Sequence, residues 1–438
     1  MAHGAVTRGP IAPDEVRRTR DAIAFASVTT LFFAWGFISS NNDPLIVSLR
    51  AIFSLSYTEA LATQMVFFMG YGLMSLPAAA LGNRIGPVNT ILLALGVMAA
   101  GCLLVLPSVR VDAYPAILMA LFVLAIGITT LQVAANPLAA ALGPPATSHF
   151  RLAFAQSFNA LGVVVGVHYG ARIMLGDRVL SQANGPIVDP AARAEALGAV
   201  AHAFQIIAAA LALLALFMWS QRRRIAAAIT ADTRAVSAPL LDALRSRWAI
   251  LGAITIGLYV GAEVSIGTIM INFLNQRSIL GLPLEQGGFY LANFYWGGAL
   301  VGRFIGSYLL TRIRAALLLA SCGGAAAGLC LVVVFASGPV AGYAALAIGL
   351  FNSIMFPTIF TLTLERSEAS QASTSGLLCL AIAGGAFLPL LFGRVADARG
   401  ISLAFAVPFA VYIVIALFAA GARMRLTLPR ASRGGLGA

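Results

Sequence analysis

The sequence contains no lysine, and charged residues of every kind are scarce. All 28 basic residues are arginine, and charged residues make up 10% of the 438 positions. Soluble globular proteins carry about 25% charged residues. Because 60% of the residues are hydrophobic, a soluble fold of this length could not bury the apolar surface of the chain. The composition therefore excludes a soluble globular protein.

Cysteine and histidine are also scarce, with four of each, and neither set has the spacing of a metal site. The cysteines lie in apolar runs without a CxxC pattern, so we expect buried core residues rather than disulfides or metal ligands. No nucleophile–base set accompanies them, which predicts that the protein is not an enzyme and needs no cofactor. Basic patches with interleaved aromatic residues are missing, so we expect no nucleic-acid partner.

Long apolar runs dominate the rest of the sequence. Most of them reach the roughly 20 residues that an α-helix needs to cross a bilayer. The period-2 alternation of a membrane β-barrel is absent. The sequence therefore predicts an all-α membrane protein with twelve transmembrane helices in contact with membrane lipid. The predicted spans are approximately 22–50, 58–83, 87–108, 113–142, 148–176, 197–220, 246–275, 286–311, 313–336, 339–364, 371–398 and 401–423.

Arginines cluster between the apolar runs on one predicted side of the membrane. Because basic loops stay in the cytoplasm, this asymmetry predicts that both termini are cytoplasmic. The first apolar run is too long for a cleaved signal peptide. The predicted organisation is a cytoplasmic tail at 1–21, a six-helix bundle at 22–220, a cytoplasmic linker at 221–245, a second six-helix bundle at 246–423 and a cytoplasmic tail at 424–438.

An internal repeat relates the two predicted bundles. An offset of 220 residues aligns Asp43 with Glu263 and Pro137 with Pro357, and it brings Arg84 next to Arg303. These pairs fall in corresponding spans, which indicates a duplicated six-helix unit. Glycines flank both arginines and permit close helix approach, and an arginine can cap the carbonyl groups of a neighbouring helix. We therefore expect gating or structural roles for the two arginines and the two prolines.

Two carboxylates, Asp43 and Glu263, lie within predicted spans 1 and 7. An isolated charge there costs on the order of 3 kcal/mol on insertion scales, so such a residue usually has a function. Pro44 disfavours helical geometry at Asp43 and predicts a distorted helix. One interpretation is that the first span ends early and Asp43 caps it in the headgroup region. The other is that both carboxylates bind a coupling cation in a water-filled cavity.

Amide and aromatic side chains supply the remaining candidates. Amides donate and accept hydrogen bonds, so this composition favours an uncharged polyol as the substrate. Gln156 and Asn159 lie three residues apart and share one helix face. Asn272 and Asn352 fit interhelical hydrogen bonds equally well. The predicted substrate-binding residues are Trp35, Phe37, Asn42, Gln132, Asn136, Gln156, Asn159, Asn272, Asn293, Tyr295, Trp296 and Asn352.

Several segments resemble one transporter family. They are WGF and NDPL in span 1, LQVAANPLAAALGP in span 4, HFRLAFAQSFNALG in span 5, YVGAEVSIG in span 7 and SGLLCLAIAGGAFLPLLFGRVAD in span 11. They are similar to the fucose permease and glucose–galactose transporter branch of the major facilitator superfamily. The resemblance implies two pseudo-symmetric six-helix bundles with substrate bound at the midplane between them. It also implies sugar–cation symport across a bacterial inner membrane, usually with protons and in some relatives with sodium.

Two carboxylates of the fucose permease, one in span 1 and one in span 4, serve proton coupling and sugar binding. The aligned positions here are Ser40 and Gln132, whereas the amide pair of span 5 is present as Gln156 and Asn159. The segment around Glu263, like the Asn-Asp pair of span 1, is more similar to the glucose–galactose members.

We therefore expect a monomeric importer of a neutral hexose such as glucose, galactose or mannose, driven by cation symport. Asp43 and Glu263 are the predicted cation-coupling residues, with H⁺ favoured over Na⁺. One alternative is a drug or metabolite exporter of the same fold that works by proton antiport. Another is a membrane sensor without transport activity.

Overall fold

The computed structural model describes residues 13–55, 57–181, 189–229 and 242–424. Almost all of these residues are helical, and no β-strand occurs within these ranges. Helices satisfy the backbone hydrogen bonds of an apolar segment without help from water, as a lipid environment requires. The all-α fold predicted from the composition is confirmed.

The first half of the chain forms helices α1 to α7, which we call the N-terminal bundle. Its first predicted span, 22–50, is divided at Asn41, where the chain turns between two helices, so the predicted distortion of this span occurs three residues before Pro44. Pro44 lies near the start of the second helix, where its missing N–H group is tolerated. The bounds are α1 Pro13–Ser40, α2 Asn42–Phe53, α3 Tyr57–Ile85, α4 Pro87–Arg110, α5 Tyr114–Ala141, α6 Ser148–Ser181 and α7 Pro190–Ala228.

The second half forms helices α8 to α17, the C-terminal bundle. Four of its six predicted spans are divided into shorter helices. The bounds are α8 Arg247–Asn275, α9 Leu284–Tyr290, α10 Gly297–Leu309, α11 Ala315–Phe335, α12 Gly338–Asn352, α13 Met355–Arg366, α14 Gln371–Ala381, α15 Leu388–Arg399, α16 Ile401–Ala404 and α17 Ala406–Met424. A π-helical segment, Leu291–Trp296, joins α9 to α10, and a 3₁₀ segment, Ile382–Ala386, follows α14.

Ten helical segments of the described chain are long and apolar enough to cross a bilayer. The two remaining predicted spans are the fifth, which is α6, and the eighth, which is interrupted by the π-helical segment. The outer surface carries large apolar side chains, as shown by Leu213 and Leu216 of α7, which are 69% and 62% exposed. An exterior of this kind matches the lipid tails of a bilayer rather than water.

Several polar contacts between the two bundles lie near one end of the molecule. We call it the junction end; there α3 and α13 end, and α6 and α14 begin. His149 of α6 contacts Thr361 of α13 (Nδ1 to Oγ1, 2.6 Å) and the Glu365 carboxylate (Nε2 to Oε1, 3.1 Å). Asn83 of α3 donates from Nδ2 to the Ser373 hydroxyl of α14 at 3.4 Å. The bundles are therefore joined at this end in the described structure.

Candidate functional site

The carboxylate of Glu263 lies in the interior of α8, one helical turn after Tyr259. Four-residue spacing places both side chains on the same helix face. The Tyr259 hydroxyl lies 2.8 Å from Glu263 Oε1 and 3.0 Å from the backbone carbonyl oxygen of Asn352. Tyr259 is fully buried, whereas Glu263 is only partly buried. The Glu263 side chain thus lies at the edge of the packed core.

A break between α12 and α13 supplies carbonyl groups next to this carboxylate. Residues at the end of a helix leave carbonyl oxygens without helical donors. Pro357 adds to this effect, because it lacks the N–H group that would bond to the carbonyl four residues earlier, at Ser353. The carbonyl of Asn352 receives the Tyr259 hydroxyl, and that of Ser353 receives Nε of Arg303 at 3.1 Å.

Two glycines permit the close packing of this region. A Cβ atom at Gly349 of α12 would overlap the backbone carbonyl of Tyr295 in the π-helical segment. A Cβ atom at Gly302 of α10 would lie 2.5 Å from the carbonyl oxygen of Leu350. Glycine at both positions therefore lets the π-helical segment and α10 reach the break in span 10. This approach brings Arg303 to the freed carbonyl of Ser353.

The π-helical segment contributes Tyr295 to the same cluster. Asn352 donates from Nδ2 to the Tyr295 hydroxyl at 3.1 Å, and that hydroxyl lies 3.4 Å from the carbonyl oxygen of Glu263. Single-turn π segments are frequent at functional sites. We call Tyr259, Glu263, Tyr295, Arg303 and Asn352 the carboxylate cluster.

The N-terminal bundle carries a second polar group, formed by amides, which we call the amide cluster. Gln132 of α5 donates to the hydroxyl of Tyr71 on α3. Gln156 of α6 donates from Nε2 to Asn136 Oδ1 at 3.3 Å, and Asn159 donates to the carbonyl of Phe32 at 3.2 Å. The Nδ2 group of Asn136 is fully buried without an oxygen acceptor among the described residues.

Arg303 connects the two clusters. Its Nη1 group donates to the backbone carbonyl oxygen of Gln156 at 3.3 Å, across the interface between the bundles. The guanidinium also lies close enough to the Glu263 carboxylate to interact with it electrostatically. Another cross-bundle bond also uses a carbonyl that a proline leaves free. Pro137 lacks the N–H group that would bond to the carbonyl of Val133, and this carbonyl oxygen accepts a hydrogen bond from the Ser375 hydroxyl at 2.8 Å.

The remaining predicted residues lie outside these clusters. Asn272 and Asn293 are exposed, and the Asn293 amide donates to the carbonyl of Phe289 in its own helix. Trp35 is buried against Phe32, with ring centroids 4.5 Å apart. Phe37 stacks on Phe33, and Trp296 packs edge-on against Tyr295. Arg84 is exposed at the end of α3. The side chains of Asn42 and Asp43 lie outside the described part of the structure.

Sequence reasoning missed the tyrosines that complete both clusters. Tyr259 could have been found, because it precedes a candidate carboxylate by one helical turn. Tyr71 gives no such signal, since its partner Gln132 is far away in the sequence. Tyr412 is also buried beside this region; its hydroxyl lacks hydrogen-bond geometry with any described residue, although the Asn352 side chain lies nearby.

Two bundles of membrane-spanning helices that join at one end, with polar clusters between them, are typical of a membrane transport protein. The Major Facilitator Superfamily model matches residues 23–389. A glucose/galactose transporter of Brucella abortus is 41% identical over 423 residues, which cover 95% of this chain and 98% of that relative. The chain therefore belongs to the Major Facilitator Superfamily, and it is a transporter rather than an enzyme.

Two further relatives agree with this assignment. An L-fucose-proton symporter of Escherichia coli is 30% identical over 415 residues, covering 91% of this chain and 92% of that relative. A crystal structure of the transporter FucP in the outward conformation superposes with a TM-score of 0.80 at 27% identity, covering 92% of this chain and 99% of that chain. The resemblance to the fucose permease and glucose–galactose branch is confirmed.

Proposed function

We propose that the protein imports a neutral hexose, such as glucose, galactose or mannose, together with a proton by alternating access. The relatives with the highest sequence identity given above are named as a glucose/galactose transporter and an L-fucose-proton symporter. The name of the glucose/galactose transporter and the amide cluster support a hexose as the substrate. The name of the L-fucose-proton symporter and the carboxylate cluster support a proton as the coupling cation.

The amide cluster suits an uncharged polyol. Its side chains, Gln132, Asn136, Gln156 and Asn159, carry no charge, and each has donor and acceptor atoms. Among the described residues, the buried Nδ2 donor of Asn136 has no oxygen acceptor, and the Oδ1 acceptor of Asn352 in the opposite bundle has no donor. A sugar hydroxyl both donates and accepts, so hydroxyls bound between the bundles could satisfy such groups.

The hydrogen-bond count at Tyr259 is the observation that carries the proton assignment. A phenol has one proton, yet two acceptors, Glu263 Oε1 and the Asn352 carbonyl, lie within bonding distance of its oxygen. When the carboxylate is ionised, one acceptor must go without a full bond. When Glu263 carries a proton, it donates to the phenol oxygen, and the phenol donates to the carbonyl. The geometry therefore accommodates a protonated carboxyl group with every bond satisfied.

The surroundings of Glu263 suit a metal cation less well. Hard cations are held by several oxygen ligands, usually including more than one carboxylate. The described side chains near Glu263 include the phenols of Tyr259 and Tyr295 and the guanidinium of Arg303, which repels cations. We therefore favour H⁺ over Na⁺ at Glu263, and Asp43 remains the second candidate for cation coupling.

The junction end supports the proposed transport cycle. If both termini are cytoplasmic, as the arginine distribution predicts, the bundles are joined on the cytoplasmic side. The described arrangement is then outward-facing, like the FucP structure in the outward conformation. Release of substrate to the cytoplasm requires the contacts of His149, Asn83 and Arg303 across the interface to break.

Uptake into proteoliposomes tests the function directly. Labelled glucose, galactose, mannose, fucose and N-acetylglucosamine are supplied under an imposed pH gradient or an imposed sodium gradient. With one proton per sugar, a pH difference of one unit supports about tenfold accumulation. Accumulation under the sodium gradient alone would overturn the proton assignment. Absence of uptake under both gradients would overturn the sugar assignment and favour the proton-driven exporter.

Amide variants test the coupling residues. Glu263→Gln and Asp43→Asn remove the titratable groups with little change in shape. If a residue binds the coupling proton, its variant should exchange labelled sugar across the membrane but lose gradient-driven accumulation. Glu368→Gln is the matched control, because Glu368 is exposed at the junction end. Undiminished accumulation in both test variants would exclude both residues from coupling.

A further inference from the structure

Arg303 lies at the contact between the two polar clusters, and each of its described interactions belongs to a different part of the site. Its Nε group bonds to Ser353 at the break in span 10. Its Nη1 group bonds to the carbonyl of Gln156, whose side chain belongs to the amide cluster. Its charge interacts with the Glu263 carboxylate. A single side chain therefore interacts electrostatically with the proposed proton site and bonds to the helix that carries the proposed sugar site.

The local backbone determines the position of this arginine. Gly302 allows α10 to pack against Leu350 at the end of α12, and Pro357 leaves the Ser353 carbonyl free. The guanidinium has a rigid fork of donors, so it can keep one bond to its own bundle while another crosses to α6. Gln156 is eight residues into α6, about 12 Å from the helix start at the junction end. The bond thus lies deeper than the contacts of His149.

We propose that Arg303 is a positioning residue that couples proton occupancy of Glu263 to the movement of the bundles, and that it prevents proton transport without sugar. The inference rests on the proposed function. An ionised Glu263 competes with the Gln156 carbonyl for the guanidinium. A protonated Glu263 no longer attracts the positive charge, so Arg303 bonds to the carbonyls of Ser353 and Gln156 and keeps the bundles joined. Sugar binding at the amides of Gln156 and Asn136 then disturbs this bond and permits the movement.

This arrangement has a specific consequence for energy coupling. A carrier that has bound a proton but no sugar stays joined at the junction end, and the proton cannot be released on the other side. A charged donor bonded to a carbonyl contributes enough free energy to shift such an equilibrium on the order of tenfold. Loss of Arg303 should therefore open a path for protons alone.

Proton flux in the absence of sugar is the measurement that tests the proposal. Wild-type protein and the variants Arg303→Gln and Arg303→Lys are reconstituted into vesicles that contain a pH-sensitive dye. We expect sugar-independent proton flux to rise on the order of tenfold in Arg303→Gln. Sugar counterflow should persist, while accumulation driven by a pH gradient should fall. Arg303→Lys keeps the positive charge but lacks the several donors of the guanidinium group, so its sugar-independent proton flux should rise less than that of Arg303→Gln.

Two further variants distinguish coupling from general damage. Arg314→Gln removes an exposed arginine from the loop between α10 and α11 and should match the wild type in every assay. Glu263→Gln combined with Arg303→Gln removes the proton site, so its proton flux should return to the control level. Among the described residues, the titratable or charged groups that interact with the Glu263 carboxylate are Tyr259, Tyr295 and Arg303.

The outcomes separate this inference from the proposed function. Wild-type protein without sugar counterflow would overturn the sugar assignment, whereas the proton-flux comparison would still apply to Arg303. Wild-type counterflow together with unchanged proton flux in both Arg303 variants would overturn the inference. If Arg303→Gln does not fold, as judged by gel filtration, Arg303→Lys carries the test. Increased flux that persists in the double variant would also overturn it, because the protons would not pass through Glu263.

Discussion

Replacing Tyr259 with phenylalanine removes one oxygen atom from the centre of the carboxylate cluster. The side chain is 1% exposed, so the ring keeps its packing and only the hydroxyl is lost. That hydroxyl lies 2.8 Å from Glu263 Oε1 and 3.0 Å from the Asn352 carbonyl oxygen. The change therefore isolates the contribution of hydrogen bonds at this site.

The expected loss of stability follows from the number of bonds in each protonation state. With Glu263 ionised, the phenol makes one charge-assisted bond, which contributes about 1.5–3 kcal/mol. With Glu263 protonated, the phenol accepts one neutral bond and donates another, and each contributes about 1 kcal/mol. Both states therefore predict a loss of about 2 kcal/mol in the free energy of unfolding. For a chain longer than 250 residues this corresponds to a fall in melting temperature of roughly 2–4 °C.

Tyr412→Phe is the matched control, because Tyr412 is equally buried and its hydroxyl has no described hydrogen bond. Thermal unfolding in detergent, followed by intrinsic tryptophan fluorescence, compares both variants with the wild type. A melting temperature for Tyr259→Phe that equals the value for Tyr412→Phe would refute the hydrogen-bond count and remove its support for a proton at Glu263.

Two further predictions concern packing and the junction end. His149→Ala removes two cross-bundle contacts that together contribute about 1–2 kcal/mol, so the population with separated junction ends should rise about 5- to 30-fold, as measured by spin-label distances between α3 and α14. His202→Ala, at an exposed position, is its control, and an unchanged distance distribution would contradict the assignment of His149 to the interface. Gly349→Ala places a methyl group against the Tyr295 carbonyl and should destabilise the protein by about 1–3 kcal/mol in thermal unfolding. Gly328→Ala on α11 is the control, because a Cβ atom at that position would have no neighbour within 4 Å. Equal stability of the two alanine variants would disprove the close contact between Gly349 and the Tyr295 carbonyl.

The sequence predicted the class of fold well because that class depends on hydrophobic run length alone. Apolar runs and sparse charge were sufficient for an all-α membrane protein with twelve spans. The division of spans was harder to predict. Pro44 predicted a distortion of the first span, but it did not predict the position of the turn, which lies three residues earlier, at Asn41. The π-helical segment Leu291–Trp296 contains no proline and one small residue, so nothing in its composition distinguishes it from a continuous helix.

The candidate site was predictable where a single residue was unusual for its environment. Glu263 stood out as a carboxylate in an apolar run, and it lies in the carboxylate cluster. Arg303 was expected to have a gating or structural role, but its contact with Gln156 depends on how two bundles dock. Such contacts join residues far apart in sequence, and no local pattern encodes them. The interpretation of Asn352 remained open between binding and interhelical bonding, and its amide bonds to Tyr295 of another span.

The divided helices make the two bundles mechanically different. In the N-terminal bundle, α3, α4, α5 and α7 each run through a whole span without a break. In the C-terminal bundle, spans 8, 10, 11 and 12 are jointed, and two of these joints, at Tyr295 and at Ser353, contact the carboxylate cluster. A local change at Glu263 therefore lies beside two breaks of the C-terminal bundle, whereas the described spans of the N-terminal bundle contain one break, at Asn41. The two bundles thus differ in the number of points at which their helices can change direction.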